Sequence, residues 1–133
     1  ITGVQLEVGD TATPFEHRSY GEELALCQRY YSTNYLSSQT IGQSSAWDGA
    51  SITIITDQNG DTASIFLPVQ MRSSPSVTIY SPQTGVQGTY HYSGSTNPSA
   101  DVLRQTPFNF NLQSSRTFTA ERVLVMFEAD AEL

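Results

Sequence analysis

The sequence contains no lysine, and only 14% of its 133 residues are charged. Six arginines stand against 13 acidic residues, which gives a formal net charge of −7. Binding to nucleic acid phosphates requires clustered Lys and Arg side chains, and the sequence has no such cluster. This balance argues against DNA or RNA as a partner.

Cysteine and histidine are also scarce. The single cysteine, Cys27, cannot form a disulfide within the chain, and with two histidines, His17 and His91, it cannot complete a tetrahedral zinc site. The longest apolar runs fall far short of the roughly 20 residues of a membrane helix. The sequence therefore predicts no disulfide scaffold, no bound metal or cofactor, and no membrane insertion. A hydrophobic content of 38% is enough to supply the core of one domain.

The first part of the chain, residues 1–33, has the pattern of a connector made of one strand and one helix. Apolar residues alternate with polar residues over 4–8, which is typical of a half-buried strand. The pair Ser19 and Glu22 matches a capping box, so a helix should begin near Tyr20. An apolar stripe then follows at helical spacing, formed by Tyr20, Leu24, Cys27 and Tyr31. A helix this short needs a packing partner, so we expect the stripe to be buried and Cys27 to be an inert thiol.

The rest of the chain, residues 34–133, has the pattern of a β-sandwich. Segments rich in β-branched and aromatic residues alternate with turn signals, at 51–56, 62–69, 76–81, 88–93, 108–112 and 122–128. The dipeptide Asn59-Gly60 is a strong hairpin signal, so we expect 51–56 to pair with 62–69. The predicted fold is mainly β, an antiparallel, jelly-roll-like sandwich preceded by the short strand and helix.

Several stretches resemble a segment near the C-terminus of many tailed-phage tail fibre and tailspike proteins. They are VQLEVG at 4–9, ATPFEHR at 12–18, YGEELALCQRYY at 20–31, FLPVQMR at 66–72, VTIY at 77–80 and ADAEL at 129–133. The resemblance implies that the chain ends a longer fibre, that it forms a homotrimer in the extracellular virion, and that it serves host attachment. It transfers no catalytic residue, because the matching motifs look structural.

Three features that could carry chemistry are better explained by structure. The segment 57–61 has oxygen side chains at alternate positions, as calcium loops do, but Pro68 stands where the bidentate Glu belongs. His91 lies near Ser93 without the Gly-x-Ser-x-Gly turn of a nucleophile, so we interpret it as an exposed strand histidine. The acidic residues do not cluster, and the prediction is a protein without enzymatic activity; a polysaccharide hydrolase would require two carboxylates facing each other across a cleft.

Aromatic residues with polar neighbours are the candidate glycan-binding residues. Trp47 and Asp48 lie in a Ser/Gly-rich stretch, where a ring can stack on a sugar while the carboxylate accepts hydrogen bonds from its hydroxyls. The alternative is that Trp47 closes the core or a subunit interface. Tyr90 and Tyr92 share a strand face and form a second candidate platform, unless they pack across strands.

Asp101 and Arg104 are weaker candidates, because they are charged residues on a loop before a strand. The predicted function is attachment of the virion to a bacterial surface polysaccharide or lipopolysaccharide. The alternative is a domain that trimerises and caps the fibre while another module recognises the host. Aromatic rings exposed on loops favour binding, and rings buried between subunits favour assembly.

Overall fold

Two antiparallel sheets and one short helix make up the described part of the chain, a mainly β architecture consistent with the predicted sandwich. The structure is a computed structural model, and it describes residues 6, 8–11, 13–14, 17–55, 63–92, 97–114 and 121–132. The strand predicted at 4–8, the calcium-like segment 57–61 and the Asn59-Gly60 turn lie wholly or largely outside these residues.

Helix α1 spans Tyr20–Gln28 and begins where the capping box predicts. The Glu22 amide donates to Ser19 Oγ at 3.3 Å, and the Ser19 amide donates to the Glu22 carboxylate at 2.8 Å. These two bonds satisfy amides that a helix start leaves without partners. The predicted capping box is therefore confirmed.

The predicted burial of the helix stripe is wrong for the single chain. No residue of α1 is buried, Leu24 is 41% exposed, and Cys27 is exposed as well. The helix is held at its C-terminal end, where the Arg72 amide donates to the Arg29 carbonyl oxygen. Tyr31, assigned to the stripe, instead begins a strand. Helical periodicity identifies residues that share a face, but the strands fill the core without that face.

The described strands are β1 Tyr31–Thr33, β2 Ser51–Ile55, β3 Ala63–Phe66, β4 Ser76–Tyr80, β5 His91–Tyr92, β6 Ala100–Leu103, β7 Asn109–Ser114 and β8 Glu121–Asp130. Strands β1 and β6 are absent from the sequence prediction, because both are short. Strand β1 lies in the predicted connector, so the sheet begins before the predicted boundary at residue 34.

The first sheet is organised around β8. Strands β1 and β4 both pair with residues 128–130, so they must lie on opposite edges of β8. Strands β2 and β5 both pair with residues 123–124 and must lie on opposite edges for the same reason. All four pairings are antiparallel, which makes β8 the centre of a five-stranded sheet.

A side chain bridges the gap between β1 and β2 along β8. Asn34 follows β1, and its amide nitrogen donates to the Val125 carbonyl at 3.0 Å. Its side-chain oxygen accepts from the Phe127 amide at 2.7 Å. The Asn34 side chain therefore takes the place of a strand backbone where neither strand reaches.

The second sheet has three strands in the order β3-β7-β6, all antiparallel. The predicted hairpin of 51–56 with 62–69 is wrong, because β2 pairs with β8 while β3 pairs with β7. A turn dipeptide predicts where a chain reverses, but each strand pairs with the partner that buries its apolar face. Here the two segments belong to different sheets.

The core lies between the sheets. Alternate residues of β8, namely Val123, Val125, Phe127 and Ala129, are all at most 3% exposed and point inward. Phe110 of β7 meets Phe127 edge to face at 5.2 Å, which joins the two sheets. Among the described residues, no helix is long and apolar enough to cross a membrane.

Candidate functional site

The outer face of the five-stranded sheet is set by the same alternation that builds the core. Because Val123, Val125 and Phe127 point inward, Arg122, Leu124, Met126 and Glu128 point outward. His91 pairs with Leu124 and therefore lies on this outer face, between the inward-facing Tyr90 and Tyr92.

The loop formed by residues 34–50 covers the middle of this outer face. Tyr35 and Ala46 of the loop form a small buried cluster with Met126 of β8, and Ala50 and Tyr80 pack against it. The Tyr35 ring meets the Tyr80 ring edge to face at 6.1 Å. The loop is thus packed against the sheet by its own apolar core.

Backbone bonds attach this loop to residues 81–85. The Ser45 amide donates to the Gln83 carbonyl at 3.2 Å, and the Ala46 amide donates to the Pro82 carbonyl at 2.8 Å. Gly85 has a φ of +72°, and a Cβ there would lie 2.0 Å from the Gly42 carbonyl oxygen. Any larger residue at position 85 would force the two loops apart.

Residues that precede and follow Trp47 in the sequence are closely packed. The residue before it, Ala46, is fully buried. On the other side, a Cβ on Gly49 would lie 2.0 Å from the Asn34 carbonyl oxygen, and the Ala50 amide donates to the Trp47 carbonyl. The small residues around Trp47 are therefore needed for close packing, which fixes the tryptophan backbone in place.

Trp47 is 41% exposed, and its ring meets the His91 ring edge to face, at 4.8 Å between ring centroids and an interplanar angle of 85°. Asp48 is exposed beside it. We call Trp47, Asp48 and His91 the aromatic corner. Trp47 is not buried in the core, because part of its surface faces solvent. Its ring is nevertheless held by packing against the His91 ring.

This arrangement can stack on an apolar ring face and accept hydrogen bonds from hydroxyls. Exposed aromatic rings bind the C–H faces of sugars, and the Asp48 carboxylate is an acceptor. The Nδ1 atom of His91 is buried and has no hydrogen-bond partner among the residues that the structure describes. Any hydrogen bond from His91 to a ligand must therefore use Nε2.

Of the two interpretations of Tyr90 that the sequence leaves open, the exposed platform is wrong and internal packing is what the structure has. It is fully buried, and its hydroxyl is 2.5 Å from Ser114 Oγ in the core. Tyr92 is partly buried and packs against the same core. The two tyrosines do share a face, but that face points inward, and His91 between them takes the outward position.

Asp101 and Arg104 are exposed, but the structure does not bring them to the aromatic corner. Asp101 lies on β6 in the second sheet, and Arg104 follows that strand. Next along the chain, Gln105 accepts from the amide of Val77, which pairs with Ala129 of β8. His91 pairs with Leu124, so Arg104 lies toward the opposite end of the sheet.

Sequence reasoning gave a functional role to neither of two outward residues. His91 was expected to be an exposed strand histidine, and it does face outward, but it is only partly exposed. Arg122 was predicted to lie in a strand and was given no role. Alternation contained the signal for both, because inward-facing neighbours require the intervening side chain to point out. What alternation could not supply was the loop that brings Trp47 against His91.

A tyrosine–carboxylate cluster occupies another part of the outer face. Glu128 accepts hydrogen bonds from Tyr80 at 2.5 Å and from Tyr31 at 3.2 Å. Burial and the Glu128 charge raise the pKa of Tyr31 to about 12. Burial and the hydrogen bond to Glu128 also raise the pKa of Tyr80. Both phenols therefore keep their protons well into alkaline solution.

Beside α1 lies an open groove of about 380 Å³, lined by Arg18, Glu22, Ala25, Leu26, Arg29 and Val69. Within the described ranges, no three His, Cys, Asp or Glu residues are grouped closely enough to hold a metal ion. The groove and the aromatic corner share no residue, so they are separate surface features.

Comparisons with protein-family models, with curated proteins and with solved structures find no match for this chain.

The tyrosine–carboxylate cluster predicts a loss of stability in alkali. A phenol whose pKa is higher in the folded chain stabilises the fold below the unfolded value of about 10. That stabilisation is lost as the pH rises from there through the folded value of about 12 for Tyr31. In an alkaline pH titration of the folded chain, we expect part of the tyrosinate absorbance to rise only above the ordinary phenol pKa; we call this part the late component. Glu128→Gln should shift the late component to lower pH.

Glu132→Gln is the matched control, because it removes the same charge from an exposed position outside the cluster. It should leave the late component unchanged. Titration of all seven tyrosines together at the ordinary phenol pKa in the folded wild-type chain would contradict the cluster.

Proposed function

We propose that this chain is a receptor-binding domain of a tailed-phage tail fibre or tailspike, which attaches the virion to a bacterial surface glycan through the aromatic corner. The observation that carries the proposal is that Trp47 is 41% exposed while its ring packs edge to face against His91. A ring that is already oriented loses little conformational entropy on stacking against a sugar. The sequence resemblance supports the viral context and an extracellular virion location. The two antiparallel sheets are compatible with a jelly-roll-like sandwich.

The geometry favours a shallow site for a polysaccharide. The aromatic corner lies on the outer face of a sheet, with Asp48 exposed beside the ring. Shallow stacking sites bind weakly, but several copies on one fibre multiply modest affinity by avidity. Absence of enzymatic activity remains part of this proposal.

Trp47→Ala should weaken glycan binding about tenfold, because loss of one stacking ring costs about 1.4 kcal/mol. Trp47→Phe, which keeps an aromatic face, should retain most of the binding. Both variants and the wild type would be tested for retention on immobilised lipopolysaccharide and capsule from a panel of bacteria.

Phe66→Ala is the matched control, because Phe66 is an aromatic residue 73% exposed on β3 of the other sheet. It should bind like the wild type. Equal retention of wild type and Trp47→Ala on every bound glycan would contradict the proposed function.

A second candidate function is assembly of the fibre as a homotrimer. Helix α1 has nine residues with none of them buried, and isolated helices shorter than about 12–15 residues are marginal in water. Large apolar side chains on and just after it are exposed, namely Tyr20, Leu24, Leu26, Tyr30 and Tyr31. A second copy of the chain packed along α1 and its groove would cover them. This observation favours the capping and trimerisation role, which is compatible with glycan binding at the aromatic corner.

For assembly, we expect a mass in solution of about three times the 14.6 kDa of one chain. Leu24→Asp should lower that mass, since an unpaired carboxylate buried in an interface costs several kcal/mol. Val86→Asp, a change at an apolar residue 54% exposed away from α1, should keep the assembled mass. A wild-type chain that sediments at 14.6 kDa would contradict assembly through α1.

A further inference from the structure

An exposed arginine lies close to the aromatic corner on the same face of the sheet. His91 pairs with Leu124, and Arg122 is two residues from Leu124 along β8. His91 and Arg122 are therefore diagonal neighbours on two paired strands. The backbones of such neighbours lie about 7–8 Å apart, which is within reach of a long side chain.

The charge of Arg122 is available to a ligand. Arg122 is exposed, and its guanidinium forms no ion pair or hydrogen bond with any residue that the structure describes. Two of the other arginines are already engaged: Arg18 pairs with Glu23 at 3.3 Å, and the Arg72 guanidinium lies 5.1 Å from the Tyr30 ring centroid. Apart from His91, Arg122 is also the only basic residue on the strands described for this sheet.

We infer that the ligand of the aromatic corner is an acidic sugar, whose carboxylate or phosphate is bound by Arg122 while its ring stacks on Trp47. This inference rests on the proposed function and adds the substrate class. A planar guanidinium matches the paired oxygens of a carboxylate or phosphate and can hold them with two hydrogen bonds.

The negative charge of Asp48, opposite to that of Arg122, would orient an acidic sugar in the site. Asp48 is exposed beside Trp47, and it likewise makes no ion pair with a described residue. A carboxylate repels an anionic group and accepts hydrogen bonds from hydroxyls. An acidic sugar on Trp47 would thus turn its hydroxyls toward Asp48 and its anionic group toward Arg122.

The net charge of −7 makes this local cation more important. An acidic polysaccharide is repelled by the chain as a whole, so favourable contact needs a positive group at the point of binding. Arg122 supplies that group on the sheet face that carries the aromatic corner, diagonal to His91.

The test is a glycan array that carries uronic acid oligosaccharides, their methyl esters, sugar phosphates and neutral oligosaccharides. We expect the bound glycans to be acidic. Uronic acid oligosaccharides should bind more tightly than their methyl esters, or sugar phosphates should bind more tightly than the neutral oligosaccharides. Arg122→Gln should weaken acidic binding by at least about tenfold. Arg122→Lys keeps the positive charge but lacks the planar guanidinium. Its affinity for acidic glycans should lie between that of the wild type and that of Arg122→Gln.

Arg104→Gln is the matched control, because it removes one exposed positive charge at the far end of the molecule. It should change acidic binding by no more than about twofold. Equal losses in Arg104→Gln and Arg122→Gln would show a general charge effect and overturn the inference.

The outcomes separate the two proposals. Binding of neutral glycans that is lost in Trp47→Ala but not in Arg122→Gln would overturn the acidic-sugar inference and leave the proposed function intact. Binding that is unaffected by Trp47→Ala, or no binding to any glycan, would contradict the proposed function itself.

Discussion

The fold depends on hydrogen bonding along both edges of β8. This strand of ten residues pairs with four shorter strands, and the Asn34 side chain bonds to it where β1 and β2 leave a gap. Because both edges are paired, the register of β8 is fixed, and a slip of one residue would turn the core side chains of β8 to the outer face of the sheet. The same register fixes which residues reach the outer face, so the core and the candidate site have one structural cause.

The aromatic corner needs two further contacts beyond that register. Strand β5 presents His91 outward opposite Leu124, and the loop of residues 34–50 brings Trp47 against it. That loop is held by Ala46 beneath it and by bonds to residues 81–85. This packing holds the Trp47 backbone in place on an outer face of the sheet, which suits the proposed recognition of a repeating polymer by many weak contacts.

Local signals in the sequence were sufficient for local structure. The capping box located the start of α1, and β-branched segments located most strands within a few residues. Partner choice was not predictable from the Asn59-Gly60 turn, since β2 and β3 join strands far along the chain. Trp47 was found because a lone tryptophan among small residues is unusual. Tyr90 was misjudged because a shared strand face does not say which way that face points, and the exposure of α1 could not be read from its periodicity.

The most direct test of the account uses Trp47 as its own probe. It is the one tryptophan in the sequence, so intrinsic tryptophan fluorescence reports on the aromatic corner without background from other sites. The protein would be titrated with a glycan whose binding is followed independently by calorimetry. We predict a saturable change in emission with the same Kd in both measurements. Calorimetric saturation with no change in Trp47 emission would place the glycan elsewhere and contradict the account.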